Sequence, residues 1–335
     1  MDYEYTWEER MALDAFLNDT TPPRSPSDFR VYKNGIYNKD MTKLYGIIPF
    51  GGSFEVPDGV KRIKGGTWSA RKLLSRLIIP ESVVEIEEKA FERCDGLEYA
   101  DIHAQIIGSR AFCSCNRLQE IKLHEGLQKI GDQAFAYIST NNLILPPGVQ
   151  DIGHYIMLNA FPFKQTLEVY LNNGALPKTH GLPADVGTLF VIRSPETDEK
   201  VCEFVILGKV EKVFTPHGID FTEYDKMFRE TFVQGRRYRI GFRAARTRIE
   251  NPYGMDEDTR RFYEEYIADA ACYFVLELIS RHPDRAHLSV SVYEMYSEFI
   301  NDKGLMKLID ASAMAGMTEL TAFLMQKLHE MKSNE

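Results

Sequence analysis

The segment LLSRLIIPESVVEIEEKAFERC, residues 73–94, contains one complete copy of a pattern that returns along the first half of the chain. Its Ala-Phe pair at 90–91 returns as Ala111-Phe112 and Ala134-Phe135, at spacings of 21 and 23 residues. The short apolar strand before the pair ends at a fixed position, Pro80, whose counterparts are residues 57, 103, 124 and 146. Agreement at this many positions indicates an internal repeat of about 22 residues.

A unit of about 22 residues contains too few apolar side chains to close a core of its own, so consecutive units must stack. Along Leu77-Ile78-Ile79, the two-residue period of a strand places Leu77 and Ile79 inward and Ile78 outward. Strands of successive units are expected to pair in parallel, which leaves one face of outward side chains. We expect that face to contact a partner through Arg76, Ile78, Tyr99, Asp101, Glu120, Lys122, Asn142 and Ile144.

The unit resembles the short bacterial leucine-rich repeats of the surface-antigen (BspA or Treponema) type. Their pattern runs Leu-x-x-Ile-x-Ile-Pro-x-x-Val-x-x-Ile-x-x-x-Ala-Phe-x-x-Cys, which residues 73–94 match nearly position for position. The resemblance covers residues 31–160 and implies a curved solenoid whose strand-lined concave face is used for protein contacts. Thr67-Trp68 and Ile156-Met157 depart from the Ala-Phe pair at the two ends, so an array of about five units is expected.

The start of the chain predicts a helix and a linker. Thr6-Trp7-Glu8-Glu9 has the form of a capping box, and apolar residues at helical spacing follow it, which predicts a helix over residues 1–18. Solenoid ends expose apolar surface, so a capping helix is favoured over a partner-binding helix. Residues 19–30 are rich in proline and are predicted to be a linker to the solenoid, which we assign to residues 31–175.

The second half of the chain changes from strands to helices. Strand patterns at 167–171, 188–193 and 202–207 either continue the sheet as irregular rungs or form a small separate unit, and residues 176–215 are assigned as an irregular β segment. Residues 216–335 are predicted to form a helical C-terminal domain. Its expected helices are 225–234, 236–249, 256 or 258 to about 281, 290–300, 305–315 and 318–331.

This tail also resembles a known region. The segments IDFTEYD (219–225), RIENPYGMDEDTRRFYEEYI (248–267) and LIDASAMAGMTELTAFLM (308–325) are similar to the helical C-terminal region of many cytoplasmic leucine-rich-repeat proteins of Gram-positive gut bacteria. The resemblance implies no activity that can be carried over residue by residue. The predicted fold class is therefore α+β: a short leucine-rich-repeat solenoid with a parallel β ladder, followed by a mainly helical C-terminal domain.

Composition excludes several classes of protein. Among the 335 residues, 40 basic and 49 acidic side chains give a net charge of −9, which argues against a nucleic-acid partner or an anionic membrane. Five cysteines at irregular spacing do not predict a disulfide framework. The start of the sequence has no signal-peptide pattern, and no segment has the ~18 uninterrupted apolar residues of a membrane span. We expect a cytoplasmic protein, and its oligomeric state stays open.

Motifs for catalysis or metal binding are missing from the sequence. It contains no glycine-rich phosphate loop, no Gly-x-Ser-x-Gly, no His-Glu-x-x-His and no Cys-x-x-Cys, so no catalytic residue, cofactor or metal ligand is assigned. In Cys113-Ser114-Cys115, the second cysteine occupies the same repeat position as Cys94, which predicts buried, inert thiols. His103 and His124 share the position of Pro80. We expect the two histidines to be exposed to solvent and to lie on alternate rungs of the solenoid. A role as ligands is therefore not favoured.

Seven arginines lie between residues 229 and 248 of this acidic chain. If residues 236–249 are helical, Tyr238, Phe242, Ala245 and Ile249 form the core stripe. An adjacent face then carries Arg236, Arg239, Arg243 and Arg246, a row that could bind phosphates or a nucleic-acid backbone. The alternative is internal pairing with carboxylates nearby in the sequence, such as Asp225 and Glu264, and it is favoured over anion binding.

The leading functional hypothesis is a non-enzymatic scaffold or recognition protein that binds a protein partner through the outward face of the repeats. It rests on the repeat architecture and, by analogy, on the resemblance. The alternative is anion or nucleic-acid binding through the arginine row, with the repeats as a spacer. A third possibility is an enzyme whose site lies in the helical half and matches no known motif.

Overall fold

The computed structural model describes residues 26–48, 52–65, 73–159, 164–171, 175–184, 186–208, 213–215, 218–233 and 238–333. The chain divides into two compact units at Asp220 and Phe221. The predicted capping helix at 1–18, Thr67-Trp68 and Arg236 lie outside the described residues. Of the predicted linker, residues 26–28 form a short 3-10 helix, and residues 29 and 30 already belong to the first strand.

The first unit is built from short strands, here given in chain order. They are β1 (Phe29–Tyr32), β2 (Gly35–Asn38), β3 (Lys43–Ile47), β4 (Gly52–Glu55), β5 (Arg62–Ile63), β6 (Leu74–Ile79), β7 (Glu85–Ile86), β8 (Tyr99–Ile102), β9 (Ile106–Ile107) and β10 (Glu120–Leu123). They continue with β11 (Lys129–Ile130), β12 (Asn142–Ile144), β13 (Asp151–Ile152), β14 (Thr166–Tyr170), β15 (Lys178–Thr179), β16 (Leu189–Arg193), β17 (Lys200–Val205), β18 (Phe214–Thr215) and β19 (Gly218–Ile219).

The four repeats that span β4 to β11 each contribute one strand to each of two ladders. A nine-stranded sheet has the order β1-β2-β3-β5-β7-β9-β11-β13-β15, and a four-stranded sheet has the order β10-β8-β6-β4. From β3 onward, neighbours in the nine-stranded sheet are parallel, as are all neighbours in the four-stranded one. The prediction of a repeat solenoid with a parallel ladder, followed by a mainly helical region, is confirmed.

The core lies between the two ladders and repeats with the sequence. Leu77 and Ile79 are fully buried while Ile78 is half-exposed, as the two-residue period predicts. The rings of Phe91, Phe112 and Phe135 form a stacked column, with centroids 5.2 Å apart for the first pair and 5.5 Å apart for the second. The recurring phenylalanine therefore marks a continuous aromatic core across three repeats.

Glycines after the second strand of the repeat allow neighbouring repeats to approach closely. A Cβ on Gly131 would lie 2.4 Å from the backbone nitrogen of Ser109, and one on Gly153 would lie 2.5 Å from that of Asp132. Contacts this short do not occur, so any larger residue at either position would push adjacent repeats apart. The Ile-Gly pairs at 130–131 and 152–153 thus set the spacing of the stack.

The strands after residue 160 continue the solenoid. In a second four-stranded sheet of order β12-β14-β16-β17, β14 lies parallel to both β12 and β16. The chain just before β12 still contacts the preceding repeat, because the N–H groups of Ser139 and Thr140 donate to the Leu118 carbonyl. β12 itself pairs with β14. β15 extends the nine-stranded sheet beside β13. Of the two alternatives for this region, the continued ladder is the one observed, ending in the antiparallel β17.

The second unit is helical. Its α-helices are α1 (Phe221–Phe228), α2 (Tyr238–Glu250), α3 (Glu257–Arg281), α4 (Ala286–Tyr296), α5 (Asp302–Met314) and α6 (Thr318–Ser333), and a π-helical turn covers Arg229–Val233. Asp256 is the N-cap of α3, which its side chain achieves by accepting from the N–H of Thr259 at 2.7 Å. Hydrogen bonds that Thr259 donates to the carboxylate hold the pKa of Asp256 below its usual value. None of the helices in the described part of the chain combines the length and apolarity that crossing a membrane requires.

The predicted core stripe of α2 is only partly correct. Phe242 and Ala245 are buried as expected, but Tyr238 and Ile249 are half-exposed. The buried face includes Arg248 instead, which is 1% exposed. The Arg248 guanidinium forms a buried ion pair with Asp225 on α1. The buried face of α2 is therefore rotated relative to the apolar stripe that the sequence predicts.

Asn301 provides a test of local helix stability. Its side chain caps α5 by accepting from the N–H of Gly304 at 2.9 Å. Replacement Asn301→Ala removes that acceptor, so we expect the free energy of unfolding of the helical unit to fall by about 1 kcal/mol. Urea unfolding followed by the helical circular dichroism signal measures this loss. Asn301→Ser is the matched control and should stay near wild type, and an equal loss in both variants would contradict the capping role.

Candidate functional site

The predicted contact residues lie in two sheets. Six of the eight point outward from β6, β8 and β10, and we call this surface the strand face: Arg76, Ile78, Tyr99, Asp101, Glu120 and Lys122. Across the ladder, Tyr99 lies opposite Arg76 on one side and Glu120 on the other, and Asp101 lies opposite Ile78 and Lys122. Asn142 and Ile144 belong to β12, in the second four-stranded sheet. Parallel in-register pairing therefore places six of the eight residues side by side.

Tyr99 lies between two cationic side chains. The Arg76 guanidinium carbon is 3.8 Å from the centroid of the Tyr99 ring, and the Lys122 ammonium is 5.5 Å from it. Contacts of this kind are attractive because the face of an aromatic ring is negative. Lys122 is also 3.6 Å from a carboxylate oxygen of Glu120. The pKa of Lys122 is raised above its usual value. The largest cause is its hydrogen bond with the Tyr99 hydroxyl and the charge of that group, and the negative charge of Glu120 comes next.

Asp101 accepts hydrogen bonds on both of its carboxylate oxygens. The Tyr99 hydroxyl donates to Oδ2 at 3.1 Å, and the His124 Nε2 lies 2.6 Å from Oδ1. The His103 Nε2 is 3.5 Å from the same Oδ1. Burial by itself would raise the pKa of Asp101, but the hydrogen bonds from His124 and Tyr99 outweigh it and hold the pKa below its usual value.

His103 and His124 are immediate neighbours. Their rings are stacked with centroids 3.5 Å apart and an interplanar angle of 9°. The expected placement on alternate rungs is wrong, because β8 pairs directly with β10 and the two histidines follow these strands at equivalent positions. Together with Asp101 they form a group of metal-ligating side chains whose ligand atoms all lie within 4.8 Å of one another. The repeat register could have revealed this group in the sequence, because the aspartate is two residues before the first histidine.

The predicted arginine row is divided by its surroundings. Arg239 and Arg246 are exposed and Arg243 is half-buried, while Arg236 lies outside the described residues. Arg246 forms an ion pair with Glu250 at 3.2 Å on the same helix, and its guanidinium carbon is 5.1 Å from the ring centroid of Phe299. Arg246 is therefore paired with a carboxylate.

Arg246 also lines a cavity of about 500 Å³ in the helical unit. Several carboxylates share this lining: Glu250, Glu264, Glu265 and Glu298. Four acidic side chains around a cavity with two arginines, Arg246 and Arg261, make it a poor site for an anion. Glu264, a carboxylate that is expected near the arginines from its place in the sequence, therefore lines the same cavity as Arg246.

The cysteines are buried, as the repeat pattern predicts for two of them. All five are free, and Cys94 and Cys115 are fully buried. The Cys115 thiol donates to the Phe91 carbonyl at 3.1 Å. Hydrogen bonding with Cys94, together with burial, raises the pKa of Cys115, which disfavours the reactive thiolate.

Comparison with known proteins identifies the repeats. Residues 52–162 match the family model of the BspA type leucine rich repeat region in six copies, one more than the five units expected. The repeat type inferred from the sequence is therefore confirmed. Comparison with the curated proteins gives no match.

Two solved structures are similar at low identity. One is a leucine rich cell surface protein from Faecalibacterium prausnitzii A2-165, with 16% identity and a TM-score of 0.33 over 50% of this chain and 54% of that chain. The other is the T. pallidum leucine-rich-repeat protein, with 18% identity and a TM-score of 0.27 over 39% of this chain and 74% of that chain. The chain spans about half the length of the first protein.

Proposed function

We propose that this chain, whose residues 52–162 match a BspA-type leucine-rich-repeat region, is a non-enzymatic module that binds a protein partner through the strand face. The observation that carries the proposal is Tyr99, held between Arg76 and Lys122 on a row of paired strands. Tyrosine and arginine are enriched among the residues that dominate binding energy at protein interfaces. A sheet-mounted tyrosine also loses little conformational freedom when it is covered.

The charges on the strand face favour a partner with an acidic group beside an apolar one. Among the described residues, Arg76 forms no ion pair, and its stacking on Tyr99 leaves its N–H donors available to an incoming carboxylate. Lys122, by contrast, is already close to Glu120. The Tyr99 ring and the half-exposed Ile78 provide apolar surface for the remainder of the contact.

The anion-binding alternative receives no specific support from the described residues. Arg246 is paired with Glu250, and the cavity beside it is lined by four carboxylates. A phosphate backbone would be repelled by these groups more strongly at low salt, where binding should be tightest. Protein binding is therefore preferred as the function, and a cytoplasmic location stays a prediction.

Substitutions on the strand face test the proposal. Partners captured by the full-length chain are identified by mass spectrometry, and their affinity is then measured by calorimetry with purified proteins. We expect Tyr99→Ala to weaken binding by at least about 10-fold, because the loss of an aromatic hot-spot residue typically costs about 2 kcal/mol or more and each 1.4 kcal/mol is about tenfold in affinity. Arg76→Ala/Lys122→Ala is expected to weaken it by a similar factor.

A charge-matched variant on the other sheet is the control. Arg62→Ala/Lys129→Ala removes one arginine and one lysine from exposed positions on β5 and β11, in the nine-stranded sheet. Partner affinity should be unchanged in this variant, and the thermal unfolding temperature should match wild type in all three. Equal losses in the two double variants, or undiminished binding by Tyr99→Ala, would rule out the strand face as the binding surface.

A further inference from the structure

We infer that Asp101, His103 and His124 form a binding site for a divalent transition-metal ion such as Zn²⁺. The three residues come from two neighbouring repeats: Asp101 lies on β8, and the histidines directly follow β8 and β10. Parallel pairing of Leu123 with Ile102 fixes the two histidines side by side, and Asp101 precedes His103 by two residues and so shares its face of the strand. The ladder thus holds three ligands together without any sequence motif. The inference does not depend on the proposed protein partner.

The ligand atoms already lie at nearly the spacing that an ion requires. With Zn–N and Zn–O bonds of about 2.0–2.2 Å, two tetrahedral ligands of one ion are about 3.4 Å apart. Asp101 Oδ1 is 3.5 Å from His103 Nε2 and 2.6 Å from His124 Nε2, and all ligand atoms of the group lie within 4.8 Å. The short contact between Asp101 and His124 must lengthen to admit an ion.

Neighbouring side chains orient the ligands. The Tyr99 hydroxyl donates to Asp101 Oδ2, which leaves Oδ1 directed at the two imidazoles. On the far side of His103, a Glu81 carboxylate oxygen is 4.0 Å from Nδ1, and the Glu81 side chain is exposed and able to move closer. Carboxylates on the second ring nitrogen of a histidine ligand are a recurrent feature of metal sites, because they fix the tautomer and raise the basicity of the ligand.

Metal binding requires the histidine stack to open. A metal ion lies in the plane of each imidazole that binds it, whereas the two rings are now nearly parallel. At least one ring must therefore turn about its Cβ–Cγ bond, which the side-chain exposure of 27% for His103 and 36% for His124 permits. Because the site faces solvent, water would complete the coordination shell. We expect an open site of moderate affinity.

The donor atoms select the class of metal. Two imidazole nitrogens and one carboxylate oxygen suit Zn²⁺, Co²⁺, Ni²⁺ and Cu²⁺, whereas Mg²⁺ and Ca²⁺ prefer shells of oxygen alone. The buried cysteines do not contribute to this group. The absorption spectrum of bound Co²⁺ would therefore lack the thiolate charge-transfer bands of a cysteine site.

The test uses the full-length chain after treatment with a chelator. Calorimetric titration with ZnCl₂ should show one site per chain, and excess Mg²⁺ should not displace the ion. Loss of an outer-shell group typically weakens metal affinity about 10–100-fold, so loss of a ligand in Asp101→Asn or His124→Ala should weaken it at least roughly 100-fold. His124→Gln preserves the side-chain volume and provides a second variant if His124→Ala lowers the thermal unfolding temperature.

The matched control is another histidine–aspartate pair in the same unit. His180 Nε2 is 2.6 Å from Asp151 Oδ1, the same separation as between His124 and Asp101, but this pair belongs to no group of three metal-ligating side chains among the described residues. His180→Ala should bind Zn²⁺ as wild type does. The inference is overturned if wild type binds no Zn²⁺, if affinity persists in both Asp101→Asn and the His124 variants, if His180→Ala loses the site, or if bound Co²⁺ shows thiolate bands.

Discussion

Replacing Phe112 by alanine is expected to lower the free energy of unfolding of the repeat unit by about 3–5 kcal/mol. The Phe112 ring is fully buried and stacks on Phe91 on one side and on Phe135 on the other. Truncation removes the transfer free energy of the ring and leaves a cavity in a stack whose backbone spacing is fixed by close contacts at Gly131. The cavity cannot collapse easily, so the cost should lie toward the upper part of this range.

The effect should spread to neighbouring repeats. In a stacked array, each repeat gains stability from its interfaces, and Phe112 lies at the interfaces with the repeats that contain Phe91 and Phe135. Hydrogen exchange of peptides within residues 73–159, measured by mass spectrometry at increasing urea concentration, follows this unit. The helical circular dichroism signal follows the other unit.

Phe112→Leu is the matched control, because leucine keeps an apolar side chain in the column and should cost less than half as much as alanine. A small shift for Phe112→Ala, comparable with that of leucine, would mean that the aromatic column is not the main source of stability. A loss seen equally in the helical signal would mean that the two units do not unfold independently.

The repeats could be predicted because their chemistry is periodic. Apolar residues such as Leu77 and Ile79 return at fixed positions, and burial of each copy demands a neighbour, so sequence alone implies a stack. The periodicity also predicts the order of the strands in the ladder, because successive repeats stack in chain order. Outward positions follow from inward ones, which is why Arg76, Tyr99 and Lys122 were placed correctly on one face.

Backbone conformation inside the repeat could not be predicted. Arg110 and Ser114 both adopt positive φ, at 57° and 61°, and equivalent residues do so in the neighbouring repeats. Glycine or asparagine is the residue usually expected at positions with positive φ. Hydrogen bonds between repeats, such as those from the N–H of Arg110 to Asp132 and from Ser114 to Ala136, stabilise these conformations, and they exist only once the units are stacked.

Side-chain clusters between residues far apart in the chain follow from the sequence only in part. His103, His124 and Asp101 are separated by up to 23 residues, and only the strand register brings them together. Similarly, the sequence offered several carboxylates as partners for the arginines near residue 240. Which carboxylate pairs with which arginine depends on the packing of α1 against α2, and propensity and spacing do not encode that packing.

Arg248→Ala is expected to lower the free energy of unfolding of the helical unit by about 3–5 kcal/mol. The Arg248 side chain is fully buried, and its guanidinium binds both carboxylate oxygens of Asp225, with Nε at 2.8 Å and a terminal nitrogen at 3.0 Å. It also donates to the carbonyls of Asn251 and Tyr253. The Tyr263 hydroxyl donates to the same aspartate at 2.8 Å. Removing the arginine leaves a largely buried carboxylate without its counter-charge.

The network links three helices, which is why one substitution has so large an effect. Asp225 lies on α1, Arg248 on α2 and Tyr263 on α3. Burial, followed by the charges of Tyr224 and Asp225, raises the pKa of the Tyr263 hydroxyl well above its usual value, so the tyrosine stays a neutral donor. Loss of the guanidinium therefore leaves Asp225 with a single neutral partner among these groups.

Arg246→Ala is the control on the same helix. Arg246 is exposed and its ion pair with Glu250 lies at the surface, so its loss should change stability by no more than about 0.5–1 kcal/mol. The double variant Arg248→Met/Asp225→Asn removes both charges together and should cost less than the sum of its single variants, by about 1–3 kcal/mol. Additive losses, or equal effects of Arg246→Ala and Arg248→Ala in urea unfolding followed by the helical signal, would contradict this account. The expected asymmetry arises because water can solvate the partner that remains at the surface but not the one that remains inside.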